Sequence, residues 1–331
     1  MRILLIKTSS LGDVVHNLPV VTDLRARYPA AVIDWVVEES FADIPRLHPG
    51  VSQVIPVAVR RWRRSWLAPS VWREIGALRQ RLGADRYDFA IDTQGLLKSA
   101  LITHMAPTRR CGYSADSARE PLASRFYDAR FAVPKALHAV ERNRRLAALA
   151  GGYQITGAPD YGIAVTRWQS GIPGTQSEPA PALGVPGRTP EPTAVLLTAT
   201  SRDDKLWPEE HWAALGCELE ARGLNCLLPA GNEAERERAA RIVGRIPKAS
   251  LLPPLGLGEL AGHIAAARIV VGVDTGLVHL AAALGRPTLA LFSASDPALT
   301  GVLAPTPAFN LGRRGHPPSA DDVVAAALPL L

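Results

Sequence analysis

Short, near-continuous apolar runs alternate along this chain with longer stretches in which apolar residues recur at helical spacing. Arg2 to Lys7 reads as a buried strand, and Val14 to Tyr28 carries a helical period that Pro29 ends. Val32 to Val37 and Val51 to Val59 are the next strands, followed by a helix from Ser70 to Leu82. Phe89 to Asp92 is a strand and Leu96 to Met105 a helix. Beyond a proline-rich stretch the alternation restarts with a strand from Ala194 to Thr198. Pro208 then takes the first position of a helix running to about Ala221. Leu224 to Pro229 is a strand, a charged helix begins near Glu233, Leu251-Leu252 is a short strand, and Gly258 to Ala267 a helix. Ile269 to Val273 is rich in β-branched residues, as expected of a strand buried on both faces of a parallel sheet. Leu277 to Leu284 follows as a helix closed by Gly285, and Thr288 to Phe292 completes a βαβ unit. Ser319-Ala320-Asp321-Asp322 caps a terminal helix.

Strands and helices alternating at this spacing predict α/β architecture with parallel, doubly wound sheets. Two Rossmann-like domains facing each other across a cleft are expected: 1–165, then a Pro-rich linker over 166–192, then 193–318. The helix at 319–331 is expected to pack back on the first domain. At 331 residues the chain is long for one domain and comfortable for two. Its three cysteines fit neither a disulfide framework nor a metal motif. Four apolar residues between Arg2 and Lys7 are too few for a signal peptide, and no apolar run approaches membrane-helix length. A soluble, cytoplasmic protein is therefore expected, and the formal charge of +6 favours anionic partners.

In doubly wound sheets ligands sit at the carboxyl ends of the strands. Thr8-Ser9-Ser10-Leu11-Gly12-Asp13 is a strand-to-helix corner on that edge, with Asp92 and Gln94 beside it. Asp13 reads either as an N-cap or as a general base at the mouth of the sheet, and Gly12 lets a substrate approach the backbone. Arg60-Arg61-Trp62-Arg63-Arg64, with Trp66 and Trp72 nearby, is the most concentrated charge in the chain. It reads as a solvated loop or as bidentate anion contacts, with tryptophan faces against sugar or lipid. No recognisable nucleic-acid module surrounds it. Arg119 is a weaker anion contact in a loop. In the second half, Asp274-Thr275-Gly276 places a carboxylate, a hydroxyl and a glycine beside free helix amides, a corner able to hold a nucleotide. Lys205, after Thr200-Ser201, suits a phosphate. Glu235 reads as a solvated helix residue or a ribose acceptor, with Glu233 competing. His279 reads as a core histidine or a donor to an anionic leaving group.

Taken in order, Lys7 to Asp13, Asp34 to Glu39, Arg60 to Arg64, Gln94 to Ser99, Arg119 to Ser124, Arg202 to Lys205 with Trp207 to Trp212, and Asp274-Thr275-Gly276 with His279 closely resemble the bacterial lipopolysaccharide heptosyltransferase I family. The resemblance spans nearly the whole chain. It departs in a longer Pro-rich joint and at Ser201, where a second threonine is common; heptosyltransferase II is the lesser match. The resemblance implies a GT-B glycosyltransferase that moves L-glycero-D-manno-heptose from ADP-heptose to the inner Kdo of Kdo2-lipid A, inverting the anomeric carbon. Asp13 would then be the catalytic base. Thr200, Ser201 and Lys205 would hold the diphosphate, assisted by the Thr275 and Gly276 amides and by His279. Asp274 would bond heptose, Glu235 ribose, and Leu255 would line the adenine pocket. Ser10, Gly12, Gln94, Arg60, Arg61, Arg63, Arg64 and Arg119 would face the acceptor.

With no Asp-x-Asp motif, and with Asp203-Asp204 wrongly spaced, neither metal nor cofactor is expected. The expected protein is a monomer, peripheral on the cytoplasmic face of the inner membrane, with no nucleic-acid partner. A sugar-nucleotide epimerase shares the expected fold but has no use for the arginine cluster. A nonenzymatic nucleotide-binding or membrane-adaptor protein has no use for Asp13. The missing GxGxxG disfavours a nicotinamide dehydrogenase.

Overall fold

The computed structural model describes residues 1–163 and 191–331. Nearly all of the expected Pro-rich linker lies outside the described residues. The chain separates into two compact units, Met1–Gly162 and Ile163–Leu331.

The first unit holds β1 (Arg2–Ile6), β2 (Val32–Glu38), β3 (Gln53–Val57), β4 (Phe89–Asp92), β5 (Arg109–Tyr113) and β6 (Ala129–Phe131). They form one sheet in the order β3-β2-β1-β4-β5-β6, every neighbouring pair parallel. Around it lie α1 (Leu11–Val15), α2 (Leu18–Arg27), α3 (Asp43–Arg46), α4 (Val59–Arg64), α5 (Pro69–Ala84), α6 (Leu97–His104) and α7 (Ala139–Gly151). The second unit holds β7 (Thr193–Leu197), β8 (Asn225–Leu228), β9 (Ser250–Leu251), β10 (Ile269–Val273), β11 (Thr288–Phe292) and β12 (Ala308–Gly312). These are also parallel, in the order β12-β11-β10-β7-β8-β9. Its helices are α8 (Glu209–Glu220), α9 (Glu233–Val243), α10 (Leu257–Ala266), α11 (Gly276–Ala283), α12 (Pro297–Thr300) and α13 (Ala320–Ala327).

Counted within its own unit, each sheet has the order 3-2-1-4-5-6, so the winding reverses between the first and fourth strands. That reversal opens a crevice at the carboxyl ends, where a ligand can enter. In the first unit it lies between β1 and β4, in the second between β7 and β10. These central strands are apolar because they are covered on both faces: Ile3 to Ile6 and Ile269 to Val271 are fully buried.

Several elements differ from the pattern reading. The single helix expected from Val14 to Tyr28 is two, because Pro19 lacks an amide proton and fits only the first turn of a new helix. Pattern reading assigned no element to α7, whose buried face includes Asn143 and Arg144 as well as Leu146 and Ala147. The Arg144 guanidinium is satisfied there by the Asp23 carboxylate at 2.8 and 3.0 Å. It also missed β5, β6 and β12, which are short or carry arginine, asparagine and glycine in place of an apolar run. The arginine-rich stretch is a helix, α4, and not a loop. The terminal helix α13 buries Val323 and Ala327 in the second unit's own core, beside Trp207, Trp212, Leu215 and Leu219.

Trp212 is fully buried in that core, its ring edge-on to Trp207 at 4.9 Å, whereas Trp72 is exposed. Trp212→Ala is expected to cost about 3–5 kcal/mol through lost burial and the cavity left behind. Trp72→Ala should stay within about 0.5 kcal/mol of the parent. Urea unfolding of the two variants checks the contrast.

Candidate active site

In the first unit, the buried Lys7 follows β1 and the chain turns through Thr8, Ser9 and Ser10 into α1. Gln94, just past β4, fixes this turn: its side-chain oxygen accepts from the amides of Thr8 and Ser9, both at 3.1 Å. Gln94 is buried and its side-chain carbonyl is used inside the protein, where it holds the loop. Asp92, also buried, accepts from the amides of Gln94 (2.8 Å) and Gly95 (3.2 Å) and from the Tyr127 hydroxyl (2.7 Å). It braces the turn. Gly95 is required there: its φ is +67°, and a Cβ would stand 3.0 Å from the Tyr113 ring.

Ser10, not Asp13, is the N-cap of α1. Asp13 lies in the first turn and its Oδ2 accepts from the Ser10 amide at 3.0 Å and the Ser10 hydroxyl at 3.2 Å. Arg119 reaches the same oxygen at 3.3 Å, from the loop after β5. Burial alone would raise the Asp13 pKa, but Lys7, Arg119 and the Ser10 bonds outweigh it, and the carboxyl sits below its ordinary value. Lys7 donates to the Thr93 carbonyl (2.9 Å) and to Asn143 Oδ1 (3.3 Å). Burial lowers the Lys7 pKa to about 8, against the opposing pull of Asp13. The result is an ionised carboxylate at the switch point, with Gly12 beside it in the first turn of α1.

The four arginines of α4 divide by partner. Arg61 donates to Glu74 at 2.9 and 3.0 Å and to Glu39 at 3.4 Å, so its fork is engaged with carboxylates of its own unit. That makes it a poorer anion contact than the sequence suggested. Arg60, Arg63 and Arg64 are exposed, and the Arg60 guanidinium lies 5.2 Å from the centre of the Phe41 ring. Lys98 donates to Ser9 Oγ at 2.7 Å and ties α6 to the same loop.

In the second unit the corner after β10 carries Asp274, with Thr275 as N-cap of α11 and Gly276 its first residue. The first amides of α11 have no partner within the helix. Asp274 Oδ2 accepts from Lys205 Nζ at 2.6 Å and from the Ser295 hydroxyl. Thr200 Oγ1 donates to the Asp274 carbonyl at 3.2 Å, and His279 Nε2 lies 3.9 Å from Asp274 Oδ1. Thr200, Lys205, Asp274, Thr275, Gly276 and His279 therefore converge on one corner, with Ser201 exposed in the same loop. Leu255 is half-buried in the loop before α10. Glu235 turns back on its own helix start, accepting from the Gly231 amide at 2.7 Å and Asn232 Nδ2 at 2.8 Å. Glu233 is exposed at the first position of α9. Asp204 pairs with Arg202. Among the described residues no cluster of His, Cys, Asp or Glu could hold a metal ion.

Pattern reading gave no role to Lys7, Lys98, Ser295 or Arg238. Arg238 is the clamp of the second corner: it donates to the Thr198 carbonyl at 2.9 Å and to the Trp207 carbonyl at 2.5 Å, the two ends of the loop bearing Thr200, Ser201 and Lys205. Nothing in its helical neighbourhood announces this. A lysine closing an apolar strand and a serine just past β11 did carry a signal in their positions.

Two parallel doubly wound units, each with a polar corner at its switch point, define a nucleotide-sugar enzyme of the GT-B kind, and residues 75–323 match glycosyltransferase family 9 (heptosyltransferase). The chain belongs to that family. It is 44% identical to lipopolysaccharide heptosyltransferase 1 of Escherichia coli K12 over 305 residues, 91% of this chain and 90% of that protein. It is 46% identical to the Pseudomonas aeruginosa protein of the same name over 306 residues, 91% of this chain and 81% of that one. The E. coli heptosyltransferase WaaC, solved with ADP, superposes with a TM-score of 0.86 at 40% identity, covering 99% of this chain and 98% of that one. With ADP-2-deoxy-2-fluoro heptose the TM-score is 0.84 at the same identity and coverage.

Lys7→Met removes a buried charge beside Asp13 and keeps the bulk of the side chain. The Asp13 carboxyl should then titrate at higher pH, read from carbon-13 shifts of labelled aspartate. An unmoved titration would assign the whole effect to Arg119 and Ser10.

Proposed function

We propose that this chain transfers L-glycero-D-manno-heptose from ADP-heptose to the inner Kdo of Kdo2-lipid A, inverting the anomeric carbon. The similarity to heptosyltransferase 1 proteins supports the substrates. The observation that carries the reaction is the ionised Asp13 carboxylate at the mouth of the first sheet. Asp13 takes the proton from the acceptor hydroxyl as that oxygen attacks the anomeric carbon. The bond to the diphosphate breaks and ADP leaves with its electron pair. Lys205, Thr200 and Ser201 receive the added negative charge together with the amides of Thr275 and Gly276, and His279 assists. Asp274 holds Lys205 in place and bonds heptose hydroxyls. Glu235 keeps lone pairs for ribose beyond those its own loop uses, in preference to Glu233, and Leu255 lines the adenine site.

On the acceptor side Ser10, Gly12 and Gln94 shape the corner, while Arg60, Arg63, Arg64 and Arg119 meet carboxylates and phosphates. Arg61 joins them only by exchanging Glu74 for the acceptor. Charge stabilisation by a lysine and helix amides requires no metal. The acceptor is a lipid, so the enzyme works peripherally at the cytoplasmic face of the inner membrane.

The deciding assay offers ADP-heptose and deacylated Kdo2-lipid A and looks for a heptose-sized mass increase; consumption of the donor alone, with epimerised product, would sink the proposal. Asp13→Ala should lower kcat by about two to four orders of magnitude while the affinity for ADP barely moves. Because the Asp13 carboxyl lies below its ordinary value, the base stays charged down to acid pH. The acid limb of kcat/KM should therefore appear only below the ordinary carboxylate range, and a limb near neutrality would point to another base. Activity should persist undiminished in EDTA; loss restored by Mg²⁺ would require a metal.

A further inference from the structure

Between α4 and the second turn of α5 the first unit holds three large apolar side chains out in water. Trp66, Leu67 and Trp72 are 61%, 75% and 59% exposed. They form one group: Trp72 Nε1 donates to the Trp66 carbonyl at 2.9 Å, which fixes the second indole over the turn that bears the first. Isolated exposed apolar residues are ordinary, but a fastened cluster of two indoles and a leucine marks a surface built to be covered.

What surrounds the cluster indicates what covers it. Arg60, Arg63, Arg64 and Arg73 are exposed on the flanking helices. In this stretch Arg61 is paired with Glu39 and Glu74, while those four form no ion pair among the described residues. Indole rings settle at the boundary between headgroups and acyl chains, leucine enters the apolar side, and guanidinium forks take phosphate oxygens. Unneutralised arginine around exposed tryptophan is thus complementary to an anionic bilayer.

We propose that the turn from Ser65 to Trp72, with the exposed face of α4, is a wedge that seats the first unit on an anionic phospholipid surface. The inference deepens the reading of the acceptor as membrane-borne, and rests on it. Wedge and corner are linked within the unit. Burial lowers the Lys98 pKa against the pull of Glu38, and Arg60 and Arg63 add to the lowering, so α4 lies within electrostatic reach of Lys98. Lys98 in turn holds Ser9, next to the Ser10 cap of α1. Seating the wedge would present this corner to a hydroxyl close above the headgroups.

The test sediments the full chain with vesicles of phosphatidylcholine alone or mixed with phosphatidylglycerol. In parallel it measures turnover on soluble deacylated acceptor and on acceptor embedded in the mixed vesicles. Wild type should bind the mixed vesicles with a blue shift of tryptophan emission, and added salt should weaken binding. Trp66→Ala/Leu67→Ala should lose about tenfold in vesicle affinity and in turnover on the embedded acceptor. Its turnover on the deacylated acceptor and its thermal midpoint should match the parent. Indifference of wild type to anionic lipid, or equal binding by the double variant, overturns the wedge. So does a dimer that the double variant splits while vesicle binding is unchanged, since the patch would then pair copies of the chain. Failure of wild type on the deacylated acceptor counts against the acceptor reading instead, and sedimentation still decides the wedge.

Discussion

The chemistry proposed for the first unit depends on keeping one carboxylate charged where burial opposes it. The Asp13 side chain is only 24% exposed, and removal from water would favour its protonated form. Lys7, Arg119 and the Ser10 donors reverse that preference. The support is not free of cost, because Lys7 is itself buried and its own charge is disfavoured. The two groups therefore enter stability with opposite signs. Asp13 binds its proton less readily folded than unfolded, so its contribution is present above the ordinary carboxylate range and is lost as pH falls through the folded value. Lys7 titrates at about 8 when folded, below its ordinary 10.5, so charging it weakens the fold as pH drops across that window. At neutral pH the fold carries the burden of a buried ammonium and keeps an ionised carboxylate.

The two corners are built on the same topological place with the roles exchanged. In the first, cations hold a carboxylate, the working group of the proposed reaction; in the second, Asp274 holds Lys205, the cation proposed to meet the diphosphate. Both follow from strand order. A sheet that reverses between its first and fourth strands leaves loops diverging at the carboxyl ends, and polar side chains placed there escape the apolar strands on either side. Each loop then needs a brace. Gln94 and Asp92 serve the first corner and Arg238 the second, and all three use main-chain groups as partners.

That division explains what could be read from sequence. Strands such as Phe89–Asp92 and Ile269–Val273 are legible to the residue because they are buried on both faces and bounded by polar turns. β5 and β12 are not, since arginine or asparagine interrupts their apolar run, and α7 hides its period by burying Arg144 against Asp23. The corners were visible as polar breaks after apolar runs, and the family resemblance supplied roles for their residues. The braces were not visible, because a side chain that bonds a carbonyl distant in sequence leaves no local pattern. Arg61 shows the reverse error: four arginines in one turn and a half look equivalent as text, yet Glu39 and Glu74 claim one of them.

The distinction between working and bracing groups limits how loss of activity should be interpreted. A brace such as Arg238 bonds the carbonyl oxygens at the two ends of its loop and pairs with Glu209 at 3.8 Å, so removing it frees the loop without removing any group proposed to meet phosphate. Its loss acts on the population of ordered loops and hence on donor binding, leaving the barrier within the bound complex nearly as it was. On the proposed mechanism Asp13 has both functions. Its carboxylate closes the first turn of α1 through Ser10 and also carries the charge that a proton acceptor requires. Asparagine at position 13 can keep a carbonyl for the Ser10 amide but has no charge to offer a proton. Comparing it with alanine therefore separates the cap from the base within one side chain.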